Sequence, residues 1–152
     1  MYTAALFAHS WVRWAVVIAG VVVFLRAATG ASARRPWTRS DDRASLWFTI
    51  ALDVQVLLGL LLYVETGLPQ RLAADAALVM QSPSARFWTV EHPLGMLVGL
   101  ALAHVGRVMV RKADVSRRHK LAAIFFGIAL IAILASLPWP GMPNGRPWLR
   151  WR

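Results

Sequence analysis

Seven polar or ionisable residues lie inside otherwise apolar stretches of the chain, and they are the candidates for its chemistry. They are His9, Arg13, Asp53, Gln55, Glu91, His92 and His104. A polar group within a membrane-spanning helix is costly, so it is a functional candidate by default. The chain contains no Cys, which excludes thiolate metal sites, and it carries no nucleotide-binding loop or metalloprotease helix. The chemistry to be considered is therefore that of histidine and carboxylate groups.

The apolar stretches themselves predict four helices that cross a membrane. Of the 152 residues, 58% are hydrophobic and 16% are charged, which is far from the composition of a soluble domain. Each stretch is close to the ~20 residues that span a hydrocarbon core, and helices satisfy their own backbone hydrogen bonds there. We expect an all-α, four-transmembrane-helix bundle, with helices at about residues 4–25, 46–64, 89–109 and 121–137.

The basic residues predict the orientation of this bundle. The net charge is +10, and most basic residues lie between apolar stretches: five Arg in residues 26–44, and six Arg or Lys in residues 107–120. Such residues near membrane-spanning helices stay on the cytoplasmic side. The pattern predicts that both termini lie on the outer side. It also points to the lipid bilayer as the partner of the chain, with no role for nucleic acid.

Two segments outside the helices have distinct compositions. Residues 65–86 show partial helical periodicity of Leu and Val, which predicts a short amphipathic segment on the outer surface. Residues 138–152 contain four Pro and three Trp, a composition that excludes a helix. We expect a single transmembrane domain in residues 1–137, followed by an interfacial tail in residues 138–152.

His9 and His92 are the strongest candidate pair. Both lie in the first turns of helices that run in the same direction, so their imidazoles are expected at similar depth near the outer surface. Two such imidazoles could bind a haem iron between them, and Arg13, one turn below His9, could hydrogen-bond a haem propionate. Alternatively, each histidine is hydrogen-bonded to backbone or water. His104 has no expected partner at its depth and is a doubtful ligand, and His119 lies in a basic loop towards the surface.

Small residues follow His92 at four-residue spacing, at Gly95 and Gly99. One interpretation is that they allow close contact between two helices. The other is that they leave room beside His92 for a flat cofactor, which makes Gly95 and Gly99 candidate cofactor-binding residues. Pro93 is compatible with a helix start, and we expect Thr89 to be the N-cap of the third helix.

Asp53 and Gln55 lie near the middle of the second helix, where we expect them to be buried. Arg13 is the cation at the most comparable depth, so one interpretation is an Arg13–Asp53 ion pair that fixes helix packing. The other is that Asp53, assisted by Gln55, handles protons or faces a quinone. Glu91 is adjacent to His92 and is expected to face solvent.

Several of these residues lie in segments that resemble a known family of small four-helix bacterial membrane proteins, described as cytochrome b-like. The similar segments are residues 9–14 (His-Ser-x-x-Arg-Trp), 53–63, 89–93 (Thr-Val-Glu-His-Pro) and 137–140. The similarity covers nearly the whole chain. It implies a b-type haem bound between the helices by His9 and His92. Together with the orientation predicted from the basic residues, it leads us to expect a multi-pass protein of the bacterial inner membrane with periplasmic termini.

The leading interpretation is therefore a b-type haem protein that transfers electrons near the outer face of the membrane, to or from a quinone or a larger redox complex. Such a chain is an electron carrier or a subunit of a redox complex rather than a stand-alone enzyme. Its partners are other membrane redox subunits or a second copy of the chain. The alternative is a haem-free accessory or assembly subunit in which Arg13 and Asp53 dock with other membrane helices. A transporter with Asp53 as its coupling carboxylate is the weakest interpretation, because no helix is broken in mid-membrane.

The orientation can be tested with reporter fusions. Fusions at Gly30 and Ala113 should be active only with a cytoplasmic reporter, because the basic segments keep these positions inside. Fusions at Ala74 and at the C-terminus should be active only with a periplasmic reporter. Periplasmic activity at Gly30 would overturn the predicted orientation.

Overall fold

The chain is all-helical, and a computed structural model describes residues 1–148, within which no strand occurs. The predicted tail extends to residue 152, and its last four residues lie outside the described part. The four long helices are α1 (Tyr2–Ser32), α2 (Arg39–Glu65), α6 (His92–Lys112) and α7 (Val115–Ala135). Between α2 and α6 lie α3 (Leu68–Ala74), α4 (Ala76–Gln81), α5 (Pro83–Arg86) and a π-helical turn (Phe87–Glu91).

The long helices are of membrane-spanning length. Four helical stretches are long and apolar enough to cross a bilayer, namely Tyr2–Ser32, Arg39–Glu65, Pro83–Lys112 and Val115–Ala135. The chain is thus a multi-pass membrane protein with an all-α four-helix bundle, as predicted. The observed helices run further into the basic segments than the apolar stretches do. At the start of α2, the Thr38 side chain accepts from the Asp41 amide at 3.3 Å, and the Asp41 carboxylate accepts from the Thr38 amide at 3.0 Å.

The four long helices form a ring in which each contacts two neighbours. α1 packs against α2 and α7, and α6 packs against α7 and, less closely, against α2. α1 and α6 are therefore diagonal across the bundle and run in the same direction. The end of the bundle with residues 33–38 and 113–114 is named the loop end. The end with Met1 and residues 136–148 is named the terminal end.

The core lies between all four long helices, and α6 contributes Met96, Ala103 and Val110 to it. Phe48 of α2 and Phe126 of α7 are fully buried, and their rings meet edge to face with centroids 5.9 Å apart. Gly20 of α1 lets the Phe48 ring approach, since a Cβ at this glycine would lie 3.0 Å from the ring. Lipid tails are as apolar as these side chains, so close packing rather than exclusion from water holds the helices together.

Gly95 and Gly99 face α7. A Cβ at Gly95 would overlap the Ser136 hydroxyl, and one at Gly99 would lie 2.7 Å from Ile133 Cγ1. The two glycines therefore allow α6 and α7 to pack closely, as small residues at four-residue spacing do in membrane helices. The structure therefore corrects the expectation that these two glycines leave room for a cofactor.

A buried carboxylate ties α1 to α2 at the loop end. Asp41 is 1% exposed and accepts hydrogen bonds from Arg26 Nε at 3.1 Å and from Arg35 Nη1 at 2.6 Å. A buried charge is tolerated when it is paired and its lone pairs are satisfied. The carboxylate also raises the pKa of Arg35, mainly through this hydrogen bond.

His119 is buried at the loop end, which corrects its predicted place near the surface. It lies in the first turns of α7 and is 3% exposed. Its ring lies 4.9 Å from the Trp37 ring and directly against Gly30, where a Cβ would overlap the imidazole. Its Nε2 is 3.9 Å from Asp41 Oδ2, so the histidine completes the packing around that carboxylate.

The third membrane-spanning stretch begins differently from the prediction. Thr89 is not an N-cap; it lies within the π-helical turn that leads continuously into α6. Because Pro93 has no N–H, the Thr89 carbonyl lacks its usual donor four residues later. The Tyr63 hydroxyl donates to this carbonyl instead, at 3.0 Å. The turn thus joins α6 to the end of α2.

The glycine contact between α6 and α7 can be tested by substitution. Gly99→Leu should lower stability by about 1–3 kcal/mol, because the new side chain would overlap Ile133. Thermal unfolding in detergent measures the loss. Val98→Leu is the matched control, because Val98 is 44% exposed and faces outward. Equal stability of the two variants would contradict the contact.

Candidate functional site

A cavity of about 590 Å³ lies at the terminal end of the bundle. This size is within the range of small-molecule and cofactor sites. Its walls are α1, α2 and α6, and residues of α3, α4, α5 and the 138–147 segment also line it. The predicted surface segment 65–86 is thus folded as short helices over this cavity. Its lining is mostly apolar, with a small number of histidine, amide and guanidinium groups.

His9 and His92 meet across the cavity. Their ring centroids are 6.4 Å apart, and the ring planes are nearly perpendicular, at 78°. α1 and α6 do not pack directly against each other, so these two side chains bridge the diagonal of the bundle. The structure therefore brings together the pair for which the sequence predicts matched depth.

The His92 imidazole is held by the end of α7. Its Nδ1 lies 2.7 Å from the Ser136 carbonyl oxygen. In this arrangement Nδ1–H donates to the carbonyl, and the lone pair of Nε2 stays free to bind a metal. Ser136 follows the last residue of α7, and position 140 is a proline without an N–H. The carbonyl is therefore available because the helix ends there. Phe87 and Trp88 flank the ring, with centroids 5.9 and 5.6 Å away.

The His9 imidazole contacts α2. Its Nε2 is 3.2 Å from Gln55 Nε2, so the amide donates to this nitrogen. Gly59 makes room for the ring, since a Cβ there would lie 3.2 Å from His9 Cε1. Gln55 is 4% exposed, as expected for a buried polar residue. Neither His9 Nδ1 nor Gln55 Oε1 has a hydrogen-bond partner among residues 1–148, which is costly for buried atoms.

Arg13 binds the segment that follows α7. Its Nη2 donates to the carbonyl oxygens of Pro147, at 3.2 Å, and Trp148, at 3.0 Å. The Trp14 indole donates to the same Trp148 oxygen at 2.6 Å, and the two indoles stack with centroids 5.4 Å apart. The predicted Arg13–Asp53 pair is thus wrong, because Arg13 points towards the terminal end, where free backbone carbonyls lie.

Asp53 pairs with His104 instead. Asp53 Oδ1 lies 2.7 Å from His104 Nε2, a contact that joins α2 to α6. The side chains are 42% and 49% exposed, so Asp53 is not the buried residue that the sequence suggests. Neither residue lines the cavity. His104 therefore has a partner at its own depth, but the partner is a carboxylate rather than a second histidine.

Glu91 is the remaining candidate, and several residues that line the cavity were not predicted from the sequence. Glu91 is exposed and accepts from Arg86 at 2.6 Å, which agrees with a solvent-facing position. The cavity-lining residues missed from the sequence are Tyr63, Arg71, Met96 and Arg146. Met96 lies four residues after His92, a spacing that places both on one helix face and could have identified it.

Comparison with protein-family models, with curated protein sequences and with solved structures found no match to the chain. The similarity to cytochrome b-like proteins therefore stays a prediction. Within residues 1–148, no group of three or more His, Asp or Glu side chains could hold a metal ion. The candidate site is therefore defined by His9 and His92, whose rings approach each other across the cavity.

The pairing of Asp53 can be tested with double-mutant cycles. Asp53→Ala and His104→Ala should be coupled, with an interaction energy of about 0.5–3 kcal/mol, because the side chains are in contact. Asp53→Ala and Arg13→Ala should be additive, because these residues have different partners. Thermal unfolding of the single and double variants in detergent measures both cycles. Coupling in the second cycle alone would contradict the observed pairing.

Proposed function

We propose that the chain is a b-type haem protein of the bacterial inner membrane that transfers electrons near the outer face. His9 and His92 would hold the haem iron, and the electron partner would be a membrane quinone or a larger redox complex. The observation that carries this proposal is the approach of the two imidazoles across the cavity, with centroids 6.4 Å apart.

The separation of the two rings fits ligation of one ion. With metal–nitrogen bonds of about 2 Å on opposite sides of one ion, the centroids of two imidazoles lie about 6 Å apart. The Ser136 carbonyl fixes the His92 ring through Nδ1, which leaves Nε2 for a metal. A bound haem would supply a one-electron redox couple at this position.

The charges around the cavity fit an anionic cofactor. Arg13, Arg71 and Arg146 all line it, and no Asp or Glu of residues 1–148 does. Guanidinium groups bind carboxylates in a planar, bidentate manner, so they suit the propionate groups of a haem. Arg13 Nε is buried without a partner among residues 1–148, so this side chain has an unused donor.

The position of Gln55 affects how His9 could bind a metal. Its amide occupies His9 Nε2 at 3.2 Å, so binding of a metal by this nitrogen requires the amide to move away. The move frees the Gln55 side chain to donate or accept elsewhere in the cavity. Gln55 therefore competes with a metal for His9 rather than binding it.

The ligands can be tested by visible spectroscopy. The purified protein, produced with ample haem and reduced with dithionite, should show the sharp α-band of a low-spin, six-coordinate b-type haem. His9→Ala and His92→Ala should each abolish the band or convert the iron to high spin, because one axial nitrogen is lost.

Two control variants sharpen this test. His104→Ala should keep the low-spin spectrum, because His104 pairs with Asp53 outside the cavity. Gln55→Leu should also keep it, because it removes only the competing amide. A colourless wild-type protein would reject the proposal and favour a haem-free accessory subunit. If Gln55→Leu lost the α-band and His9→Ala kept it, His9 would be rejected as a ligand.

A further inference from the structure

The Asp53–His104 pair lies at mid-depth on the outward surface of the bundle. Asp53 is near the middle of the apolar part of α2, and His104 lies within the apolar part of α6, nearer its loop end. Their side chains are 42% and 49% exposed, although they bond to each other at 2.7 Å. An ion pair in this position would face the hydrocarbon of the bilayer.

Hydrocarbon cannot satisfy the remaining hydrogen-bonding atoms of this pair. With His104 Nε2 bound to Asp53 Oδ1, the ring still carries Nδ1 and the carboxylate still carries Oδ2. Polar groups within the membrane almost always face protein or a water-filled cavity rather than lipid, because exposure to lipid costs several kcal/mol. The surface around the pair is therefore covered by something that offers both a donor and an acceptor.

We propose that a second copy of this chain covers this surface and forms a homodimer through α2 and α6. A copy inserted in the same orientation carries its own Asp53–His104 pair, and the two pairs therefore lie at the same depth in the membrane. About a twofold axis along the membrane normal, His104 of each copy faces Asp53 of the other, which gives a self-complementary contact. This complementarity of hydrogen-bond donors and acceptors distinguishes a second copy from an apolar partner or lipid.

The surroundings of the pair suit a helix–helix interface. Leu57 of α2 and Val108 of α6 lie one turn from Asp53 and His104, and they are 65% and 50% exposed. They provide an apolar border around the polar contact. Residues on the outward face of α1 have no comparable polar group nearby; Ile18, for example, is 63% exposed at similar depth.

The absence of native cysteine provides a direct test. In the full-length protein in native membranes, Leu57→Cys and, separately, Val108→Cys should be cross-linked to dimers by a short bifunctional maleimide. Ile18→Cys is the matched control and should remain monomeric, because its exposure is similar but it lies on α1, which is not part of the proposed interface. Adding Asp53→Ala and His104→Ala to Leu57→Cys should reduce the dimer yield at least several-fold.

Two outcomes would overturn the dimer. The first is equal cross-linking of the Leu57→Cys and Ile18→Cys variants, which would indicate random collision. The second is an absence of dimers in all variants, together with a monomeric mass of the wild-type protein by native mass spectrometry in mild detergent. Retention of the dimer by the Asp53→Ala/His104→Ala variant would exclude the pair as its cause. The test needs no haem, so it is independent of the proposed function.

Discussion

Hydrocarbon offers no hydrogen bonds, and this constraint explains most of the polar contacts in the bundle. Every backbone or side-chain polar group at membrane depth must find its partner within protein. The Thr89 carbonyl, left without a donor by Pro93, accepts from Tyr63. The Ser136 carbonyl, left free at the end of α7, accepts from His92. The same two bonds fasten separate helices together, so interruptions in the helices become the points at which the helices are joined.

The two ends of the bundle meet this constraint in different ways. At the loop end, Asp41 is surrounded by guanidinium groups, and His119 fills the remaining space against Gly30. At the terminal end, buried atoms of His9 and Gln55 remain without partners beside an open cavity. The paired Asp41 carboxylate stabilises the fold, although His119 Nδ1 beside it has no partner within residues 1–148. Unsatisfied atoms beside an open cavity, by contrast, are typical of a place where a ligand binds.

The sequence predicts the fold well because the bilayer fixes the lengths of its helices. Apolar stretches of about 20 residues leave only one architecture, and the depths of His9 and His92 follow from counting turns. Depth alone does not predict which way a side chain points. Asp53 and Arg13 are near the same depth, yet one turns to α6 and the other to the terminal end. Counting turns likewise leaves open whether Gly95 and Gly99 face a cofactor or a neighbouring helix, and in the structure both face α7.

The segment after α7 has a consequence for assembly. Arg146 and Pro147 line the cavity, and Arg13 of α1 holds the backbone of Pro147 and Trp148. These residues follow all four long helices in the chain, whereas Arg13 is in the first. The wall of the cavity therefore cannot be complete during synthesis until the whole bundle has entered the membrane. Until then the space between α1, α2 and α6 lacks the part of its wall that Arg146 and Pro147 provide.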